Sequence, residues 1–242
     1  MLDSEIDEIV LKKLKPIHEK LTHFQPIEQL CNEIPEQLMA CQFIREDDRV
    51  LEFGGSLGRN SCVINTILED KTNHVVVEPS LIEANQLLLN RDNNLLQFQV
   101  EFSAISETPL YSLGWYTFTD PLPNSTKVNV ITYNELCEKY KIDFSVLVID
   151  NEGNFVSMLK SFPNLLDGIR LVIIEHDFNT QEDLEYFTKT LHDNHFVNHT
   201  KYMKCNKYAP GMGWSDGLST DPVFVSVWET VTPDLTEIPP LI

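Results

Sequence analysis

The sequence predicts an α/β fold on one mostly parallel sheet, and three observations carry that expectation. Short runs rich in Val, Ile and Leu alternate with amphipathic helical stretches, the first run turns into its helix through glycines, and the last two runs flank a single long loop. Parallel strands joined through helices need right-handed crossovers, which lay helices on both faces of the sheet. The two late runs are expected to close it as an antiparallel hairpin.

The elements follow in order. From Asp3 to about Phe24, residues Ile6, Ile9, Val10, Leu14 and Ile17 recur at helical spacing with Lys12, Lys13 and Lys15 between them, and Pro16 marks the place for a kink. A second helical stretch runs from Pro26 to Ile44 and ends in the polar turn Arg45-Glu46-Asp47-Asp48. Strands are expected at 50–53, 74–78, 96–102, 144–150, 171–175, 195–203 and 223–228, and helices near 61–68, 80–89, 134–141, 152–159 and 181–191. This divides the chain into an N-terminal helical extension (1–45), one main domain (46–232) and a proline-rich tail (233–242).

Composition narrows the function classes. With 37 acidic and 18 basic residues the formal net charge is −19, a field that repels phosphate backbones and anionic lipid, so neither a nucleic-acid nor a membrane partner is expected. Five cysteines, odd in number and without a C-x-x-C pair, argue against a disulfide framework or a thiolate zinc site and fit a reducing, cytoplasmic setting. The acidic N-terminus lacks an apolar leader, and no apolar run approaches the ~18 residues of a spanning helix.

Chemistry concentrates where the first strand ends. In a doubly wound sheet, ligands bind beyond the carboxyl ends of the strands, and Leu51-Glu52-Phe53-Gly54-Gly55-Ser56-Leu57-Gly58 lies there. A dinucleotide loop of the form G-x-G-x-x-G begun at Gly54 needs glycines where Ser56 and Arg59 stand, which disfavours an NAD-dependent oxidoreductase. Glu78 follows the second strand, 20 residues after Gly58, the spacing at which a carboxylate accepts the hydroxyls of a ribose. Glu52, at the ligand end of its strand, suits the ammonium group of a methionine moiety. The turn therefore favours a sulfonium cofactor over a dinucleotide.

Successive blocks of the chain resemble those of FkbM-type methyltransferases. They are Val50 to Ser61, Val76-Val77-Glu78-Pro79, Ser103-Ala104-Ile105-Ser106, Val130 to Leu136, Leu147-Val148-Ile149-Asp150-Asn151-Glu152-Gly153 and Val172-Ile173-Ile174-Glu175, in order from about Asp48 to Glu175. The chain departs at Asn151, where the family usually has an apolar residue, and at Gly55-Ser56, where Ala-Asn is common. The resemblance implies the seven-stranded class I methyltransferase (Rossmann-like) fold, S-adenosylmethionine as cofactor, and methyl transfer to oxygen, often on sugars. By position, Glu52, Gly54, Ser56 and Gly58 would hold the methionine part, Glu78 the ribose, and Ser103 with Ala104 the adenine edge. Gly55, Asn60, Ser61, Pro79 and Asp150 complete the expected cofactor contacts.

Near the transferred methyl, Asp150 and Glu152 from the fourth parallel strand are expected to meet Glu175, His176 and Asp177 from the fifth. An acceptor hydroxyl must lose its proton as the methyl arrives, and Asp150, ahead of His176, is the expected base, with Glu175 beside them. Asp150, Glu175 and Asp177 are also the candidate oxygen ligands for a divalent ion, which the family as a whole does not require. His192, His195 and His199 straddle a helix-to-strand junction and read as surface histidines. The loop from Cys205 to Pro222 reads as a substrate-side lid, with Tyr202, Tyr208 and Trp214 for sugar faces, Asn206 and Asp216 for hydroxyls, and Lys201, Lys204 and Lys207 as a modest basic spot. A small-molecule or saccharide acceptor is the expected partner; the alternatives are a non-sugar acceptor and a non-catalytic cofactor-binding module of the same fold.

Overall fold

A computed structural model of the chain describes residues 3–203 and 223–231. The lid candidates Lys204, Asn206, Lys207, Tyr208, Trp214 and Asp216 and the tail 233–242 lie outside the described residues, as do the side chains of His199, Lys201 and Tyr202.

The first expected helix is three pieces: α1 (Asp3–Ile9), a π-helical turn (Val10–Leu14) and α2 (Lys15–His18). The π turn falls just ahead of Pro16, whose ring clashes with the carbonyl four residues back and whose nitrogen has no proton to offer it. The chain leaves the helix at His18 rather than continuing to Phe24. Pro26 to Ile44 also divides, into a 3-10 helix (Ile27–Glu33) and α3 (Ile34–Phe43), because Pro35 is tolerated only in the first turn of a new helix.

The alternating part then runs β1 (Val50–Phe53), α4 (Arg59–Ile67), β2 (His74–Val77), α5 (Leu81–Asn93) and β3 (Gln99–Glu101). Short strands β4 (Ala104–Ile105), β5 (Leu110–Leu113), β6 (Tyr116–Phe118), β7 (Thr126–Val128) and β8 (Val130–Ile131) follow. The chain finishes with α6 (Tyr133–Tyr140), β9 (Val146–Ile149), α7 (Phe155–Ser161), β10 (Leu171–Glu175), α8 (Gln181–Asp193), β11 (Phe196–Met203) and β12 (Val223–Thr230). Two predicted elements shrink. The strand expected over 96–102 keeps only β3, and the helix expected over 152–159 starts at Phe155, because Glu152 and Gly153 sit at φ 55° and 79°, outside any helix.

The main sheet has seven strands in the order β11-β12-β10-β9-β1-β2-β3. β3, β2, β1, β9 and β10 are mutually parallel, and β12 enters antiparallel to β10 and β11, the expected closing hairpin. Residues of β1, β2 and β9 are buried throughout, as strands covered on both faces must be. Side chains alternate between two cores. Val50, Val76, Val148 and Ile173 pack with Leu14 and Leu38 from the N-terminal helices, with Phe24 from the turn between them, and with α4 and α5. Leu51, Val77, Ile149 and Val172 pack on the other face with α6, α7 and α8. The N-terminal helices thus form one wall of the sheet's own core.

Helix starts are set locally. Thr132 accepts the Glu135 N–H at 3.2 Å while the Glu135 carboxylate accepts the Thr132 N–H at 2.9 Å, a reciprocal cap that contributes about 1 kcal/mol to α6. The segment from Ala104 to Ile131 is unexpected from the sequence. β4 pairs with β8, and β6-β5-β7 form a separate antiparallel sheet whose β5–β6 turn is made by Gly114 at φ 63°. Gly114 between two apolar runs was the available hairpin signal. Among the described residues, no helix is long and apolar enough to cross a membrane.

Candidate active site

The order of strands reverses between β1 and β9, since the chain winds outward through β2 and β3 on one side and through β10 on the other. The crevice beyond the carboxyl ends of strands at such a switch is where a doubly wound sheet takes its ligand. The glycine turn sits on it. A Cβ on Gly54 (φ 86°) would lie 1.6 Å from the Asp150 carbonyl oxygen, so only glycine lets the turn pass the end of β9. At Gly55 a Cβ would meet Val76 at 2.4 Å. Gly58, at φ 90°, opens α4. The protein's own packing thus accounts for Gly54 and Gly55.

Glu78 is buried at the end of β2, and both of its oxygens accept backbone N–H groups at 2.8 Å, Oε2 from Ser56 in the turn and Oε1 from Ser80 ahead of α5. Burial pushes its carboxyl above the usual range, and the two N–H groups oppose that shift. Pro79 lies between Glu78 and Ser80. Asn60 and Ser61, in the first turn of α4, are buried, and Asn60 Oδ1 and Ser61 Oγ have no hydrogen-bond partner among the described residues. At the end of β3, Ser103 donates to Glu101 Oε1 at 2.8 Å and stands beside buried Ala104. Glu101 is raised by burial, but Lys139 at 2.6 Å, Ser103 and Tyr140 outweigh it and hold the carboxyl low.

Glu52 goes elsewhere. It is buried on β1, and its Oε2 lies 2.9 Å from His74 Nε2, so the carboxylate placed by sequence on a ligand's ammonium is engaged within the sheet. A histidine heading the apolar run His74-Val75-Val76-Val77, in the strand beside Glu52, was the signal for this pair.

Beyond β9 and β10 the structure gathers acids. The Asp150 and Glu175 carboxyls act directly on each other, and both are pushed well above the usual range, by burial first and then by neighbouring acids. Neighbouring carboxyls repel when both are ionised, which disfavours the doubly charged state. Asp177 accepts the Gly153 N–H at 2.5 Å, and burial pushes it up to about 7. Glu152, in its left-handed turn, is raised by burial as well. Sequence reasoning missed two further members. Glu36 of α3, buried on the same side, is raised well above its usual range by burial and by Glu33 and Asp150. Glu33 bonds the Arg59 guanidinium at 2.8 Å, which also reaches Gln29 at 2.8 Å.

His176 does not join them. It lies just past the end of β10 and turns toward β12. His176 Nε2 is 2.7 Å from Ser226 Oγ, which also accepts from Trp228 Nε1 at 2.9 Å, and its ring packs edge-on against Phe178 at 5.3 Å. The expected convergence of His176 with Asp150 is therefore corrected. His192 and His195 are exposed. Among the described residues no group of three or more His, Cys, Asp or Glu side chains is arranged to hold a metal ion.

No family model matches the chain, and a search of curated proteins finds no match. Solved structures do match. A protein of the NADB-Rossmann superfamily from Streptococcus agalactiae is 11% identical with a TM-score of 0.51, over 83% of this chain and 70% of that one. A ribosomal protein L11 methylase from Lactobacillus delbrueckii subsp. bulgaricus is 10% identical with a TM-score of 0.50, over 83% of this chain and 79% of that one. An rRNA methylase from Streptococcus thermophilus is 7% identical with a TM-score of 0.50, over 83% of this chain and 97% of that one.

One expectation is overturned here. Nucleic acid was excluded on net charge, yet the fold is shared with an rRNA methylase. Net charge is a whole-molecule sum, whereas contact with a phosphate backbone depends on the local field of one surface. At such low identities the likeness concerns architecture, and together with the strand order it shows that this chain has the Rossmann-like methyltransferase fold.

Proposed function

We propose that the chain is an S-adenosylmethionine-dependent methyltransferase acting on a hydroxyl of a small acceptor, with Asp150 as the base. One observation carries the proposal: at the switch between β1 and β9, a glycine turn, the anchored carboxylate of Glu78 and the upward-shifted carboxyls of Asp150 and Glu175 occupy the same end of the sheet. The residues fit the cofactor. A carboxylate offers about four lone-pair sites, so Glu78 keeps sites for ribose hydroxyls beyond its two N–H bonds. The buried Asn60 Oδ1 and Ser61 Oγ are, among the described residues, unmatched polar atoms of the kind a polar ligand completes.

The cofactor, when bound, supplies an electrophilic methyl on sulfur. The chain holds the acceptor and takes its proton. Asp150, its carboxyl raised by burial and by neighbouring acids, is suited to receive a proton from a hydroxyl, with Glu175 beside it. Within this class, the FkbM-like order of blocks favours oxygen as the methyl acceptor and a sugar or glycan as its bearer.

Calorimetric titration with S-adenosylmethionine, S-adenosylhomocysteine and NAD tests the first part. Binding of both sulfur compounds and not of NAD is expected, and NAD binding alone would overturn the proposal. Mass spectrometry of candidate acceptors after incubation with labelled cofactor tests the second.

A further inference from the structure

The acid expected to meet the amino-acid end of the cofactor is already engaged, since Glu52 is held by His74 inside the sheet. Besides Ser61, three side chains near the start of α4 have buried polar atoms without partners among the described residues: Glu36 Oε2, Asn60 Oδ1 and Arg59 Nε. Glu36 is 4% and Asn60 5% exposed. All three meet at Glu33. Its carboxylate bonds Arg59, the chain neighbour of Asn60, and its charge acts directly on Glu36.

The chemistry of the unmatched atoms is specific. Two are acceptors and one is a donor, within a cluster whose only cation among the described residues, Arg59, is already bonded to Glu33 and Gln29. Buried atoms of this kind nearly always have partners, so three together call for a ligand that supplies both donors and an acceptor. An α-amino acid does so, since its ammonium has three N–H donors and its carboxylate accepts. Glu36 is also a buried acid with no ion pair of its own among the described residues, and an ammonium is the counter-charge it lacks.

Resting on the cofactor reading above, we infer that the amino-acid end of the cofactor is held between Glu36, Asn60 and Arg59 and not by Glu52, with the ammonium on Glu36 Oε2 and Asn60 Oδ1 and the carboxylate on Arg59 Nε. The N-terminal helices are then part of the binding site, because α3 supplies Glu36.

The test uses the full chain and two ligands, S-adenosylhomocysteine and 5′-methylthioadenosine, which keeps the nucleoside and the thioether but lacks the amino-acid end. Calorimetry is expected to give wild-type binding at least about tenfold tighter for the first ligand, from hydrogen bonds between charged groups. Glu36→Gln removes most of that ratio without changing binding of 5′-methylthioadenosine. Asn60→Ala does the same to a lesser degree and serves where Glu36→Gln folds poorly. Glu52→Gln keeps the wild-type ratio. A ratio preserved in both Glu36→Gln and Asn60→Ala, or lost in Glu52→Gln, overturns the inference while leaving the cofactor reading intact. A wild-type chain that binds neither ligand overturns both.

Discussion

The two ends of the sheet treat buried acids in opposite ways. At the amino ends of β1, β9 and β10, Asp48 is 4% exposed, and its oxygens are matched by Arg170 Nε at 2.9 Å and by Arg170 Nη2, Ser145 Oγ at 3.0 Å and the Arg45 N–H at 2.7 Å. Arg170 in turn reaches Glu229 and the Phe43 carbonyl. At the carboxyl ends, Glu36 is buried and Asp150, Glu175 and Asp177 are half-buried, and desolvation together with neighbouring acids pushes all four carboxyls upward. A buried acid with its full set of donors fixes geometry. A buried acid facing other acids weakens the fold, and proteins keep such arrangements mainly where a perturbed carboxyl has work to do.

The largest expected effect comes where the turn meets β9. Gly54→Ala forces a Cβ onto the Asp150 carbonyl and is expected to cost more than about 4 kcal/mol in denaturant unfolding, or to prevent folding altogether. Wild-type stability in this variant would mean that β1 and β9 do not need their close approach. Next, Asp48→Ala strips the half-buried Arg170 of its main partner and leaves it Glu229 and the Phe43 carbonyl, which is expected to cost about 1–3 kcal/mol.

Removing an acid at the other end has the opposite signature. Asp150→Asn is expected to slow methyl transfer by at least about 100-fold, with stability at pH 8 unchanged or raised. Normal turnover would remove Asp150 as the base, and a stability loss as large as that of Asp48→Ala would erase the contrast between the two ends.

The pH response sharpens the contrast further. Asp177 titrates at about 7 in the fold and at 3.8 by reference, so between those values the folded chain keeps a proton that the unfolded chain has lost. Its contribution to stability therefore declines as pH rises from about 4 to about 7, and Asp150, Glu175 and Glu36 act in the same direction. The melting temperature is expected to fall between pH 5 and pH 8, with a shallower fall in Asp177→Asn; a flat profile would contradict the acid cluster. The smallest effect expected is in Glu78→Ala, which should weaken cofactor binding by about tenfold, measured by calorimetry.

What the sequence made legible was local. The order of parallel strands, the glycine turn and Glu78 follow from period, turn chemistry and spacing along a short stretch of chain. Rules that span few residues see such features. His176, just past the end of β10, was misplaced because its contacts with Ser226 and Phe178 depend on β12 and on the turn after the strand, which no local spacing announces. Glu36 and Asp150 are 114 residues apart in sequence and meet only because α3 lies across the sheet, so no spacing announces them. The pairing of Glu52 with His74 likewise needed the register of β1 on β2, which fixes Val50 opposite His74. The three-stranded sheet from Leu110 to Val128 escaped because its strands are only three or four residues long, too short for an alternating pattern to show.

The hydrogen bonds from Ser56 and Ser80 to Glu78 have a kinetic side. They tie the glycine turn and the start of α5 to one carboxylate, so the ordering entropy of both segments is spent when the chain folds rather than when a ligand arrives. Such a preorganised mouth predicts that encounter with the cofactor needs no slow closing step on this side, and that association runs at the ordinary rate for a small molecule meeting a rigid cleft. The residence time would then be set by how many of these contacts must break at once on leaving.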